Sequence, residues 1–456
     1  MSGPAPDARR QRTPDPARRV AFDALRAVNA EGVYANLVLA SLLSERGISG
    51  RDAAFATELV AGTCRRQGSY DAIIATAARR GLETLQPAVL DLLRLGVHQI
   101  LAMRVPVHAA VSASVDLAAS TVGERVAGLV NAVLRRVAED DLDGWLTRLS
   151  DGLDERDGLA LRTAHPRWIV DAYADVLPPD ELAAALAADN ASPMVTLAVR
   201  PGLATVGELI AEGASPGLHS PFAARIAGNP GELAAVRESR AGVQDEGSQL
   251  VAWALTRADA PPGLWLDLCA GPGGKTALLT GLAAADRSRV LAVDVAPHRA
   301  LLVTAATRGY AAAGNAPTVI VADGTRPAWR PGAFSRVLAD VPCSGLGALR
   351  RRPESRWRRG PEDIEQLHSL QLALLTSAIE AAQQGGVIGY VTCSPHRRET
   401  TEVMNETLGG RADVEVIPAA DVMPLPAGAT AGRFLQLWPH RHGTDAMFAA
   451  FLRKRF

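Results

Sequence analysis

The sequence predicts an α/β protein in three parts: an N-terminal all-α bundle, a small mixed α+β segment, and a C-terminal domain built on a parallel sheet. Three observations carry this. From Pro16 to about residue 138 apolar residues recur at three- and four-residue spacing, with few strand signals. Between 141 and 240 a strand-like TLAVR (196–200) stands among Gly/Pro turns. After Gly242 short apolar runs alternate with helical stretches, the pattern of βαβ units.

In the first part the stripe Val89, Leu92, Leu93, Val97, Ile100, Leu101 marks a helix that Pro87 is suited to start. VPVHAAVSASVDLAA and AGLVNAVLRRV read as two more helices. In the last part the strand candidates are LWLDL (264–268), RVLAVDV (289–295), TVIVAD (318–323), RVLADV (336–341) and GVIGYVT (386–392), with helices expected over 275–285, 296–309 and 362–384. The expected division is a disordered tail over 1–15, an all-α domain over 16–140, a mixed linker over 141–240, and a parallel-sheet domain over 241–456.

Composition narrows the function classes. The chain has 456 residues with 48 Lys+Arg against 49 Asp+Glu, which excludes a polybasic nucleic-acid coat and an acidic solvating tail. At 48% hydrophobic it is too apolar for disorder. The 7 basic and 13 acidic residues of 151–240 make that segment a poor phosphate grip on its own. Four cysteines without a C-x-x-C pair make neither a disulfide framework nor a zinc ribbon, so the expected compartment is reducing and no metal is expected. His98 and His108 read as packing or surface histidines. No apolar run approaches the roughly 18 residues of a membrane span, and the N-terminus lacks the apolar stretch of a secretory signal. The expectation is a cytoplasmic protein without a membrane partner.

In open α/β sheets ligands bind beyond the carboxyl ends of the strands, so that edge is where chemistry is expected. There LWLDL runs into CAGPGGKT and a helix, a turn where glycines admit close backbone approach and a helix N-terminus offers free N–H groups. The loop is not a P-loop, because Cys269 stands where the leading glycine is needed, and Thr276 occupies the third glycine of a dinucleotide fingerprint. Asp294 ends the next strand, where a carboxylate can accept from a ribose diol. Asp323 follows the third, within reach of an adenine amino group, and Asp340 ends the fourth. One Asp at a strand end is commonly a cap. A glycine loop and three Asp residues on four consecutive strand ends point instead to a ribosylated adenine held without a Walker phosphate site, and so to S-adenosyl-L-methionine (SAM). Lysine is rare, with only Lys275 and Lys454 in the chain, so Lys275 in this loop suggests that a compact ammonium is required there.

Cys343 in DVPCSG and Cys393 in TCSP each follow a strand on the same edge. A thiol beside a methyl donor has a chemical use. Carbon 5 of cytosine is a poor nucleophile until a thiolate adds to carbon 6 and turns the ring into an enamine. Such an enzyme needs a nucleophilic Cys, an acid/base partner, and a group holding the N3/N4 edge of the ring, for which Asp340 is placed. This chemistry alone does not choose between the two cysteines.

CAGPGGKT, DVAPHRA, ADGT, DVPCSG and TCSP, in this order, resemble the RNA cytosine-C5 methyltransferase superfamily, and QDEGSQL (244–250) resembles the segment opening its Rossmann-like catalytic domain. RLGVHQIL, VPVHAAVSASVDLA and GLVNAVLRRV resemble the NusB-like RNA-binding domain that precedes it in the bacterial Sun/RsmB subfamily. The resemblance implies a SAM-dependent enzyme acting on a cytosine of small-subunit (16S) ribosomal RNA, as a monomer. It implies that Cys269, Ala270, Gly271, Pro272, Gly273, Gly274 and Lys275 form the donor loop, that Asp294 and Asp323 hold ribose and adenine, and that Asp340 is the catalytic Asp and also borders the cofactor. It assigns the nucleophile to Cys393 and product release to Cys343. Gly271 stands where many relatives carry Ala, and Val341 precedes the P-C motif where Ala is common. A DNA cytosine-C5 methyltransferase, which uses the P-C cysteine as nucleophile, and a noncatalytic RNA-binding assembly factor are the competing readings.

The segment RRRPESRWRRG (350–360) sets six arginines and Trp357 directly after the P-C loop. A charge run is often only a solvated face. At this place Arg350, Arg351, Arg352 and Arg356 are expected to line the mouth of the site and pair with RNA phosphates, with HRR (396–398) adding to the rim.

Overall fold

In the computed structural model, which describes residues 14–456, the chain divides into two compact units. The first comprises the residues up to Asp171 together with Arg352–Arg358, and the second Ala172–Arg351 and Arg359–Phe456. The division falls at 171 and splits the expected 141–240 linker between them. Most of the tail expected over 1–15 lies outside the described residues.

The first unit is all-α, opening with α1 (Pro16–Glu31), α2 (Ala35–Glu45), α3 (Gly50–Ala78), α4 (Pro87–Leu101), α5 (Val107–Thr121) and α6 (Glu124–Val137). Local chemistry sets the ends. The Asp15 carboxylate caps α1 by accepting from the Arg18 N–H at 2.9 Å, and Pro87 takes the first position of α4. The α4 stripe read from the sequence is the core face, where Val89, Leu92, Leu93 and Val97 pack among Leu25, Leu59, Ile73 and Val133. His98 is buried, with Nδ1 2.8 Å from the Tyr70 hydroxyl, and His108 is exposed.

The second unit carries two sheets. A small antiparallel one is formed by β1 (Val195–Val199), β2 (Ser215–Pro216), β3 (Ala223–Ile226) and β4 (Ala241–Val243), in the order β2-β3-β1-β4. The larger contains β5 (Leu264–Asp267), β6 (Val290–Asp294), β7 (Thr318–Val321), β8 (Phe334–Asp340), β9 (Ala382–Thr392), β10 (Val414–Ile417), β11 (Thr430–Ala431), β12 (Phe434–Gln436) and β13 (Phe448–Lys454). Its order is β11-β12-β13-β9-β8-β5-β6-β7, with β10 also on β13. β7, β6, β5, β8 and β9 are mutually parallel, and the strands beyond β9 are antiparallel. The parallel strands are those read from the sequence, and helices Gly274–Ala285, Pro297–Ala306 and Pro361–Ala381 fall where expected. Because the chain runs β5-β6-β7 in one direction and returns to β8 on the other side of β5, the strand order reverses between β5 and β8. A crevice opens outside the carboxyl ends at such a reversal, and it defines where the site must be.

Candidate active site

All five parallel strands deliver polar residues to this crevice. The glycine loop leaves β5 and is hung between its neighbours: the Leu268 N–H donates to Leu338 O at 2.9 Å and the Ala270 N–H to Val293 O at 2.8 Å. Gly273 adopts φ 106°, and a Cβ there would come within 2.8 Å of the Val303 Cα, so only glycine lets the loop lie on helix Pro297–Ala306. At Gly271 a Cβ would meet Asp294 Oδ2 at 2.5 Å. An alanine at this position would therefore require the carboxylate and the Arg299 side chain to shift.

Asp294 is fixed at the end of β6. Its Oδ2 accepts from the Gly271 N–H at 3.0 Å and pairs with Arg299 Nε at 3.1 Å, while Oδ1 accepts from the Ala296 N–H at 2.9 Å. A carboxylate has about four acceptor sites, so one stays open to a ligand hydroxyl. Arg299 also donates to Gly271 O and so ties loop and carboxylate together. Asp323 is exposed just past β7, and both bonds from Thr325 land on its Oδ1, at 2.9 and 2.7 Å. Those bonds hold its carboxyl below the usual range. Beside these acids Val295 is 67% and Val321 53% exposed, an unusual apolar lining for a strand edge.

Asp267 ends β5 with no exposure at all. The Thr276 hydroxyl donates to its Oδ2 at 2.7 Å, whereas buried Oδ1 has no hydrogen-bond partner. Burial raises this carboxyl to about 7. Lys275 extends from the same helix start and donates from Nζ to Asp340 Oδ2 at 2.8 Å. Burial works against its charge, but Asp340, followed by Cys393, wins, and the ammonium is held above the ordinary lysine value.

The loops after β8 and β9 bring the two thiols together, with Cys343 Sγ 3.3 Å from Cys393 Sγ. The contact with Cys393, reinforced by burial and by the Glu399 carboxylate, pushes the Cys343 thiol well up. Backbone bonds lock the loops: the Val341 N–H donates to Val391 O at 3.0 Å, the Gly347 N–H to Cys393 O at 2.9 Å, and the Ala446 N–H to Gly347 O at 2.8 Å. Gly347 has no room for a side chain, since a Cβ would lie 2.0 Å from Ala446 O.

The arginine segment is corrected by the structure. Arg350 is buried, with Nη2 2.9 Å from Asp245 Oδ1 and Nε 2.8 Å from Asp445 Oδ1, and Arg351 pairs with the same two carboxylates at 2.6 and 3.0 Å. Arg356 is 0% exposed and donates to the backbone carbonyls of Arg65 and Ala164, both at 3.0 Å. The Trp357 indole N–H donates to Cys64 O. Of the four arginines expected on an RNA rim, only Arg352 is exposed, stacked on the Tyr34 ring. The reason is long-range. Asp245 and Asp445, 200 residues apart in sequence, supply a buried counter-charge that a local charge count does not reveal. Arg398 of the expected HRR rim likewise pairs with Glu365 and Glu406. Among the described residues no group of His, Cys, Asp and Glu is disposed to hold a metal ion.

Comparison with known proteins agrees with this architecture. Residues 254–453 match the family model described as 16S rRNA methyltransferase RsmB/F, and 15–139 match the NusB family. A Mycobacterium tuberculosis protein provisionally named a methyltransferase is 52% identical over 454 residues, 98% of each chain. The ribosomal RNA small subunit methyltransferase B of Pseudomonas syringae pv. tomato is 31% identical over 96% of each. The crystal structure of PH0851 shares the fold, with a TM-score of 0.80 over 97% of this chain and 99% of that one, at 22% identity. The chain belongs to the RsmB/F family of 16S rRNA methyltransferases, with a NusB-family region at its N-terminal end.

Proposed function

We propose that this protein methylates carbon 5 of a cytosine in small-subunit (16S) ribosomal RNA, using SAM and a transient covalent bond between Cys393 and carbon 6 of the ring. The observation that carries the reading is the meeting of two thiols, 3.3 Å apart, with the Lys275–Asp340 ion pair at the edge that also bears the glycine loop. The residues present fit the cofactor. The loop Cys269, Ala270, Gly271, Pro272, Gly273, Gly274, Lys275 has no space for added Cβ atoms at Gly271 and Gly273, Asp294 keeps an acceptor site for a ribose hydroxyl, and Asp323, Val295 and Val321 offer an acceptor and apolar walls to an adenine. When bound, SAM supplies an electrophilic methyl group.

The electrostatics favour one division of labour between the thiols. A thiolate is the reactive form, and a nearby cation favours it while a nearby anion disfavours it. Lys275 interacts with Cys393, whereas Glu399 bears on Cys343. Cys393 therefore acts as nucleophile, adding to carbon 6. Asp340, anchored by Lys275, accepts from the N4 amino group of the ring, and from N3 once the ring is protonated there. Cys343 serves product release, in which a base takes the carbon-5 proton, the carbon 5–carbon 6 double bond re-forms, and the bond from carbon 6 to the Cys393 sulfur breaks. The target base must be unpaired or flipped for a thiol to reach it.

The same reading puts the protein in the cytoplasm beside its RNA, as a monomer. No helix among the described residues is long and apolar enough to cross a membrane. Mapping 5-methylcytosine in ribosomal RNA from cells with and without the gene tests the proposal. One small-subunit cytosine loses its methyl group if it holds. An unchanged map contradicts it and favours a noncatalytic assembly factor, while a change confined to DNA favours the DNA-modifying alternative.

A further inference from the structure

Glu399 lies six residues past Cys393, in the turn Arg397–Glu399, and is 0% exposed. No cation pairs with it among the described residues. Its charge is met instead by four donors that fill its acceptor sites. Oε1 accepts from the Ser344 N–H at 2.7 Å and from Gln371 Nε2 at 3.1 Å, and Oε2 accepts from the hydroxyls of Ser344 and of Ser394, the latter at 2.6 Å. Ser344 follows Cys343 and Ser394 follows Cys393. The two hydroxyl oxygens stand 3.0 Å apart because both converge on one acceptor. Gln371 also donates to Pro342 O at 2.9 Å, and the Tyr390 hydroxyl donates to the Glu399 carbonyl at 2.8 Å.

We propose that Glu399 is the positioning residue of the active site, a single buried carboxylate that clamps the two cysteine loops in register and so sets the spacing of Cys343 and Cys393. This rests on the methyl-transfer reading above for its catalytic consequence, but the clamp itself does not. Removing an acceptor leaves buried donors unsatisfied on both loops at once, and that cost is relieved only by letting the loops part. Glu399 touches neither substrate nor cofactor in this account and acts only through the two loops.

Glu399→Gln keeps the size of the side chain but turns an acceptor oxygen into a donor facing donors. The full-length protein and this variant are compared in three measurements: steady-state methyl transfer, SAM affinity, and closure of a Cys343–Cys393 disulfide by diamide, which takes up the two protons and two electrons the thiols lose. Disulfide closure needs neither RNA nor SAM. The clamp predicts that kcat falls at least about tenfold, the scale of loss from small displacements at reacting atoms, and that disulfide closure slows by at least about tenfold. SAM affinity and the KM for RNA stay within about threefold, since uniform binding is not what is removed. Ser394→Ala, which cuts one tie and no charge, gives a smaller change in the same direction and carries the test if Glu399→Gln does not fold. Disulfide closure and kcat both within about twofold of the parent in the variant tested would overturn the clamp. If the parent closes the disulfide and Glu399→Gln slows it while neither methylates RNA, the clamp stands and the methyl-transfer reading fails.

Discussion

Cys343 and Cys393 follow neighbouring parallel strands, end 3.3 Å apart, and are both partly exposed, yet their surroundings differ in sign. The Lys275 ammonium, itself fixed by Asp340, bears on Cys393, and the Glu399 carboxylate, although bonded to both loops, bears on Cys343. Two loops with nearly the same place in the fold are thereby made chemically unequal. Position on the sheet brings a thiol to the site, and charges supplied from other elements set its surroundings there.

The largest way to blur that inequality is to remove the cation. Lys275→Met leaves Asp340 without its partner and Cys393 without a favourable charge. Methyl transfer is expected to fall by roughly 10²–10⁴, the range for a lost charged or acid/base group, with SAM affinity measured in parallel to separate loop damage from chemistry. A smaller loss, or one only in KM, would show that the cation does not distinguish the two thiols.

Next in size is the buried quartet of Arg350, Arg351, Asp245 and Asp445, which supports the turn behind both cysteines. Asp445→Ala strands buried guanidinium charge and is expected to cost about 3–5 kcal/mol in denaturant unfolding. Gly347→Ala presses a methyl group into the Ala446 carbonyl and against Cys393 O, and is expected to cost about 1–3 kcal/mol while also lowering kcat. Because Gly347 contacts the Cys393 loop directly, disulfide closure should slow in this variant as well.

A third test uses pH. Burial raises Asp267 to about 7 in the folded protein against 3.8 for the free group, so folding favours its protonated form. A raised folded pKa gives stability that is present in acid and lost as pH rises through the folded value. This one group is therefore expected to withdraw about 3 kcal/mol between pH 5 and pH 8. Asp267→Asn removes that component, so the gap between variant and parent in denaturant midpoints should shift in favour of the variant across the window. A gap that does not change with pH would mean that Asp267 stays ionised beside Lys275. The smallest effect is expected for Arg352→Ala. Its arginine is exposed, and a surface change of this kind falls within about 0.5 kcal/mol.

The glycine-loop side of the site is the part the sequence displays most openly. Glycines with no room for a Cβ, and acids at the ends of β6 and β8, are local consequences of strand-to-turn chemistry, and each strand read after Gly242 is present within a few residues. The sequence places Cys343 and Cys393 after strands on one edge, and the 3.3 Å approach of their sulfurs is visible only in the fold. What was not legible depends on residues far apart in the chain. Glu399 sits in an unremarkable HRRE turn, and only the fold shows that it is buried under Ser344 and Gln371. The arginines of 350–356 read as a nucleic-acid rim because the run of positive charge is local, whereas the carboxylates and carbonyls that absorb it come from residues 65, 164, 245 and 445. The antiparallel strands at the end of the chain escaped notice for a related reason, since the apolar run Phe448–Lys454 acquires its meaning only by pairing with β9 and β10.

The inequality of the two thiols is tested most directly by trapping. Cys343→Ala and Cys393→Ala proteins are each incubated with SAM and small-subunit ribosomal RNA, denatured, and digested so that any RNA-linked peptide is identified by mass. The account predicts that Cys343→Ala accumulates an adduct on the peptide carrying Cys393 and that Cys393→Ala forms none and does not turn over. An adduct on Cys343 in the Cys393→Ala protein, or normal methyl transfer by that variant, would contradict it.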